Sequence, residues 1–385
     1  MSSRLVQLED ALWRAAEASV PPAALAPAEL ARAVTLRSRR YTSERELLDE
    51  PLAGHAGAAD LAARALFFGV ADAAKVSVPL AELDRSAPVP ARAPLRLLDL
   101  GAGAGAMTLG TAAHLAAGGR AVDLSVVAID RDRAALSLFA GAAGHLSLAV
   151  GGRIELEHRA ELLRDARLEP GGFDLVVAGG VMNELDEATR FALVERALAA
   201  LADGGALVIV EPALRETSRD LHRVRDRVLA AGLGHVFAPC TRTAAPCPAL
   251  ARERDWCHED RPLALPPRAS RLAQVTGLRD SGMKFSYLVL RRAADPLVAS
   301  PADRAALRIV SAPKRLKGRR ECIGCGDSGW VDLRLLSRRR SDANRAFERL
   351  RRGDVLVIDR AGLEDERRDL REDEAAERVA IDPAG

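Results

Sequence analysis

The chain's five cysteines, Cys240, Cys247, Cys257, Cys322 and Cys325, all fall in its second half. Thiolates gathered in this way suit a zinc ion or an iron–sulfur cluster. Six residues separate Cys240 from Cys247, and nine separate Cys247 from Cys257. Pro239, Pro246 and Pro248 flank the first two, which predicts a rigid, irregular loop rather than a helix or a ladder. A fourth ligand has to come from Cys322 or Cys325, far along the chain. Cys322-Ile323-Gly324-Cys325-Gly326 has the spacing of a zinc knuckle, but the other three cysteines have no matching hairpin and suit a cluster equally well. His258, next to Cys257, reads as a local hydrogen-bonding group.

A second chemical signal precedes the cysteines. Asp99-Leu100-Gly101-Ala102-Gly103-Ala104-Gly105 places small residues where a strand turns sharply into a helix and a ligand can approach the backbone. Asp99 can orient a cofactor amino group or the turn's own amides. Asp130 closes the next apolar run, where an acid can accept ribose hydroxyls. Gly101-x-Gly103-x-x-Ala106 can also be read as a dinucleotide fingerprint. The leading acid of the Asp-x-Gly-x-Gly-x-Gly form resembles motif I of class I S-adenosylmethionine methyltransferases, and favours that cofactor over a nicotinamide. The turn after the fourth strand lacks the Asn/Asp-Pro-Pro-aromatic motif of amino-group methylases; Asn183 and Glu184 stand there instead, and no catalytic residue emerges.

These residues need a scaffold. Leu5, Leu8, Leu12 and Trp13 recur at helical spacing, as do Leu61, Ala65 and Phe68, so residues 1–83 read as a helical N-terminal region. Prolines in 84–94 predict a linker. Apolar strands are expected at 95–100, 124–129, 154–157, 173–177 and 206–210, with helices at 107–117, 131–142 and 187–201 between them. That alternation predicts an α/β fold with a doubly wound, Rossmann-like parallel sheet, to which 284–290 adds a closing strand. The methyltransferase-like domain is expected over 95–292, with a Cys-rich insertion at 238–268. A small basic C-terminal unit spans 303–360, with a strand at 355–358, and 361–385 reads as a charged tail.

The 385 residues are 48% hydrophobic, enough for a sizeable core, and the net charge is +2. The abundance of Ala and Arg reads as a coding bias. From Arg304 to Arg352, however, basic residues outnumber acidic ones by fifteen to five. Lys314, Arg315, Lys317, Arg319 and Arg320, with Arg338, Arg339 and Arg340 further on, form a candidate RNA-binding face. No apolar signal core follows the first residues and no stretch is long enough to span a bilayer, so a cytoplasmic protein is expected, in a reducing compartment that favours metal ligation over disulfides.

Several motifs together are more specific. Motif I is followed by Ala238-Pro239-Cys240, Ala245-Pro246-Cys247-Pro248, Asp255-Trp256-Cys257-His258 and Lys284-Phe285-Ser286-Tyr287-Leu288. Arg308-Ile309-Val310 and Lys314-Arg315-Leu316-Lys317-Gly318 then lead to the last cysteines. In these elements, over about residues 41–359, the chain resembles the mitochondrial ribosomal small-subunit methyltransferase-like assembly factors and their bacterial relatives. The resemblance implies an S-adenosylmethionine-binding domain with a [4Fe-4S] cluster, acting on or binding small-subunit ribosomal RNA. It implies Cys240, Cys247 and Cys257 as cluster ligands, with Cys325, which has Gly329 four residues on, as the fourth. Thr241 and Arg242 replace the family's histidine after the first Pro-Cys element, and one residue is inserted between the first two cysteines. An RNA-docking factor without catalysis, and a methyltransferase or oxidoreductase with a structural zinc, are the alternatives.

Overall fold

The computed structural model describes residues 2–48, 50–244 and 246–381. Ala245 of the second Pro-Cys element lies outside the described residues, as do Met1 and Asp49 of the helical region and 382–385 of the expected tail. The chain opens with helices α1 (Ser2–Ser19), α2 (Pro27–Thr42), α3 (Gly54–Ala63), α4 (Val70–Lys75) and α5 (Ser77–Ser86). A π-helical turn at Arg64–Gly69 joins α3 to α4. Helix α5 runs three residues into the stretch read as linker, because its prolines begin only at Pro88.

A mixed sheet follows. Its strands are β1 (Leu95–Leu100), β2 (Asp123–Asp130), β3 (Arg153–Ala160), β4 (Phe173–Gly179), β5 (Leu201–Pro212), β6 (His235–Ala238), β7 (Glu259–Ala264) and β8 (Ser281–Arg291). The order is β3-β2-β1-β4-β5-β8-β6, with β7 also paired to β8. The first five strands are parallel, and β8 runs antiparallel beside β5. This is the class I methyltransferase-like α/β arrangement expected from the sequence. Helices α6 (Ala106–Ala117), α7 (Arg133–Val150), α8 (Glu187–Ala200) and α9 (Arg215–Ala230) cover it. The connection from β3 to β4 contains no helix, so only β1, β2 and β4 are followed by a covering one before β5.

Helix α7 is longer than its apolar periodicity suggested, and by composition could cross a membrane. Leu136, Leu138, Phe139 and Leu146 on it are instead buried in the core, each contributing about 2 kcal/mol of apolar burial. Its other face receives α1, whose Ala15 packs close to Gly141. Asp132 caps α7 by accepting from Ala134 and Ala135 N–H, and also pairs with Arg64 of the π-helical turn. The N-terminal helices are thereby fixed to the sheet.

Helix α10 (Pro267–Thr276) precedes β8. The C-terminal part forms a second sheet from β9 (Arg304–Ile309), β10 (Lys314–Leu316), β11 (Arg319–Gly326), β12 (Gly329–Leu336), β13 (Val355–Asp359), β14 (Arg367–Asp369) and β15 (Glu377–Val379). Two findings differ from the sequence reading. The stretch after residue 360 supplies β14 and β15, with Leu363, Leu370, Val379 and Ile381 buried, rather than a tail. The unit is not separate either: Val355, Val357, Val379 and Ile381 share the main hydrophobic core.

Candidate functional site

Two places concentrate the chemistry. The first is the turn between β1 and α6. Gly101, Gly103 and Gly105 all have positive φ, at 68°, 51° and 83°, a region side chains other than glycine rarely enter. Their surroundings differ. A Cβ on Gly101 would stand 2.2 Å from Val181 Cγ2, and one on Gly105 would stand 2.1 Å from Phe139 Cδ2. At Gly103 the nearest atom is Asp130 Oδ2 at 4.0 Å. Gly101 and Gly105 are therefore glycines for packing, whereas the space over Gly103 is open to a ligand.

Asp99 is buried, and its Oδ2 accepts from the Thr108 hydroxyl at 2.7 Å and from Thr108 N–H at 3.2 Å. It thus braces the turn against α6. Its Oδ1 is buried without a partner, and burial pushes the carboxyl up to about 7. Asp130 accepts from Gly103 N–H and Asp132 N–H, both at 2.8 Å. Each oxygen of Asp130 keeps a second lone pair for a hydroxyl. The β4 turn closes the far side. Glu211, at the end of β5, accepts from Met182 N–H and from Asn183 Nδ2, both at 2.8 Å. Asn183 also donates to Gly180 O, and its Oδ1 accepts from Arg45 at 3.0 Å. An open cradle and an orphaned carboxylate oxygen fit a ligand carrying an amino group and a ribose.

The second place is a pocket between the two sheets. Cys240, Cys247, Cys257 and Cys325 line it together, walled by Leu221, Leu288, Val310 and Trp330. Cys322, three residues before Cys325 and so on the opposite face of β11, packs instead in the C-terminal core with Leu307, Val331 and Leu333. All five are free thiols. Burial raises the thiols of Cys247, pushed up to about 12, and of Cys257 and Cys325, with neighbouring thiols adding to the effect. Left alone these thiols stay protonated; a bound cation would release their protons. Among the described residues no three His, Cys, Asp or Glu side chains are grouped tightly enough for a single metal ion.

One helix holds the irregular loop, and the sequence reading missed it. Arg219 on α9 donates to the carbonyls of Ala249, Arg252 and Asp255. His222, one turn on, accepts the Cys257 N–H through Nε2 at 3.2 Å. Burial, reinforced by Arg225, depresses His222 to about 4, so the ring is neutral and able to accept. Arg225 donates to Arg242 O and Ala244 O at 2.9 and 3.0 Å. Asp226 pairs with Arg225 and accepts the Cys247 N–H at 2.7 Å. The 219, 222, 225/226 spacing is the i, i+3, i+4 pattern of one helix face; polar residues there read as a solvated face until the loop is seen. From the other side Ser286 donates to Cys257 O, and Thr241 to Cys325 O, each at 3.0 Å. His258 also lines the pocket; its ring stacks with Trp256, its Nδ1 is buried without a partner, and its carbonyl accepts from Arg352.

The basic residues gather at the opposite end of β11. Lys314, Arg315 and Lys317 are exposed on the β10–β11 hairpin, whose tip is bonded to Ser337 N–H, immediately before Arg338. Arg319 pairs with Glu321 at 2.9 Å, and half-buried Arg320 donates to Leu350 O.

With this geometry in view, residues 60–357 match the family described as mitochondrial small ribosomal subunit Rsm22. The chain belongs to this family. Motif I, the cysteine loop and β11 all fall within the part that matches the Rsm22 family. No curated protein matches the chain. Solved structures similar to it include magnesium protoporphyrin IX methyltransferase from Synechocystis PCC 6803 with bound S-adenosylmethionine, 12% identical, covering 68% of this chain and 97% of that one, at a TM-score of 0.35. An O-methyltransferase family protein from Burkholderia thailandensis is 16% identical, covering 68% of this chain and 66% of that one, also at 0.35. Identity this low transfers neither substrate nor activity.

Proposed function

We propose that this Rsm22-family chain is a cytoplasmic, S-adenosylmethionine-binding, methyltransferase-like factor that holds a [4Fe-4S] cluster and engages small-subunit ribosomal RNA. The observation that carries the reading is the convergence of Cys240, Cys247, Cys257 and Cys325 on one apolar-walled pocket between the two sheets. A cluster there would tie the cysteine loop to β11, supplying covalent cross-links rather than a reaction step. Gly103 leaves room for the cofactor, Asp130 offers acceptors to its ribose, and Asp99 keeps one carboxyl oxygen without a partner in the same turn. Lys314, Arg315 and Lys317 are exposed cations able to neutralise phosphates.

A docking role without methyl transfer is favoured by one observation. In the β4 turn, where an acceptor would be held, Asn183 is committed to Glu211, Gly180 and Arg45, and Glu184 pairs with Arg131. These side chains brace the turn rather than present a base.

Anaerobic purification followed by iron, sulfide and zinc analysis tests the reading. About four irons and four sulfides per chain with a broad brown absorbance are expected. One zinc without iron would replace the cluster with a structural zinc site.

A further inference from the structure

Arg225 is among the largest fully buried side chains, 1% exposed, yet it lines the same pocket as the four cysteines. Its terminal nitrogens are used: one pairs with Asp226, and the other donates to the carbonyls of Arg242 and Ala244. Its Nε is buried with no hydrogen-bond partner, although an unsatisfied buried donor costs about 1–3 kcal/mol. Arg308 and Arg242 line the pocket too, each likewise with an unpartnered Nε, but Arg308 is matched by Glu82 and Glu259, and Arg242 reaches out to the Asp327 carbonyl. Asp226 offsets part of the Arg225 charge, but its side chain is 17% exposed and so partly screened by water.

A cubane cluster on four thiolates is a dianion when oxidised and gains a further negative charge on reduction. In an apolar pocket that charge has to be met by fixed positive charge and N–H donors, which also set the reduction potential. We propose that Arg225 is the positioning residue that compensates the thiolate charge, offering its unpartnered Nε–H to sulfur and holding the cluster's reduction potential up, with Asp226 acting in the opposite sense. This inference rests on the cluster reading above.

The test is a potentiometric titration with dithionite of the full chain, reconstituted anaerobically with iron and sulfide. Arg225→Gln removes the positive charge and should shift the reduction equilibrium at least tenfold toward the oxidised form, about 59 mV lower for one electron. Asp226→Asn removes the negative charge and should shift it the other way. A purely scaffolding role would disturb both variants alike, through loss of loop order and of bound iron. Shifts in the same direction, or none, would overturn the proposal. If Arg225→Gln fails to hold iron, Asp226→Asn decides alone: a raised potential supports it, and an unchanged or lowered one overturns it. Failure of the underlying reading looks different, because wild-type protein would then take up no iron at all.

Discussion

The guanidinium of Arg308, on β9 of the second sheet, pairs with the carboxylate of Glu82 on α5, 226 positions earlier in the chain. The same guanidinium donates to the Tyr287 hydroxyl at 2.6 Å and to Glu259 at 3.1 Å. Tyr287 in turn donates to Glu82 at 2.7 Å, and Glu259 accepts from Arg261 at 2.9 Å. Burial raises the Glu82 carboxyl against the pull of Arg308, whereas at Glu259 the two arginines overcome burial and hold it low. Four segments that are distant in sequence meet here without solvent.

Arg308→Met should therefore strand Glu82 and Glu259 in the interior. Removing one partner of a buried ion pair costs about 3–5 kcal/mol. Urea denaturation of wild type and variant should show that loss in the midpoint; a loss below about 1 kcal/mol would mean that water reaches the network.

The cysteines separate into two classes. Serine at Cys240, Cys247, Cys257 or Cys325 should abolish stable iron binding. Cys322→Ala should retain full iron content and lose only about 1–2 kcal/mol from the cavity it leaves. Elemental analysis with a thermal melt reads both quantities, and iron loss in Cys322→Ala would exchange the roles of the two β11 cysteines.

The glycine turn yields an asymmetric prediction. Gly103→Ala should cost about 1–2 kcal/mol of backbone strain and leave the fold in place, while weakening S-adenosylmethionine binding at least tenfold. Gly105→Ala meets the Phe139 ring and should destabilise the fold more than that. Calorimetric titration and melting curves separate the two effects. Ligand affinity unchanged in Gly103→Ala would place the cofactor elsewhere.

Stability should also carry a pH signature from Asp99 and Glu211. Burial pushes both carboxyls up to about 7, from ordinary values of 3.8 and 4.5. Between about pH 4 and pH 7 the unfolded chain releases these protons while the folded one keeps them. Stability from these groups is thus present at the acidic end and is lost as pH rises, by up to about 1.4 kcal/mol per pH unit for each. Asp99→Asn and Glu211→Gln mimic the protonated forms, so each should gain on wild type between about pH 5 and pH 7.5 in urea melts. A constant gap across that range would show that the carboxyls ionise normally.

RNA binding should depend on salt through few residues. Replacing Lys314, Arg315 and Lys317 with Ala should weaken binding to single-stranded ribosomal RNA and reduce the log–log salt slope by about 0.7 for each phosphate left without its cation. Arg320→Ala should leave that slope alone, since its guanidinium serves the Leu350 carbonyl. Filter binding at several salt concentrations distinguishes them.

The parallel strands were legible because both faces of β1, β4 and β5 are largely buried, so each carries a dense apolar stretch, as in Leu175-Val176-Val177-Ala178 and Ala206-Leu207-Val208-Ile209-Val210. Motif I was legible because positive φ leaves few choices besides glycine. The support for the cysteine loop was not. Arg219, His222, Arg225 and Asp226 sit on a helix whose polar face looks solvated, and carbonyl acceptors in an irregular loop leave no mark in the sequence. The arginine content read as coding bias also has a structural use, since Arg190, Arg196, Arg219, Arg225 and Arg291 all bind backbone carbonyls. Strands β14 and β15 were missed for the opposite reason: three residues each, charged, they carry too little apolar pattern to stand out from a tail.

Strand β11 begins at Arg319, beside the exposed lysines, and reaches Cys325 six residues later, a span of about 20 Å. It is hydrogen-bonded to β12 along its whole length, so it cannot stretch or slide without breaking that ladder. It works as a stiff tie-rod: any reseating of Cys325 against the loop is delivered along the strand to the β10–β11 hairpin.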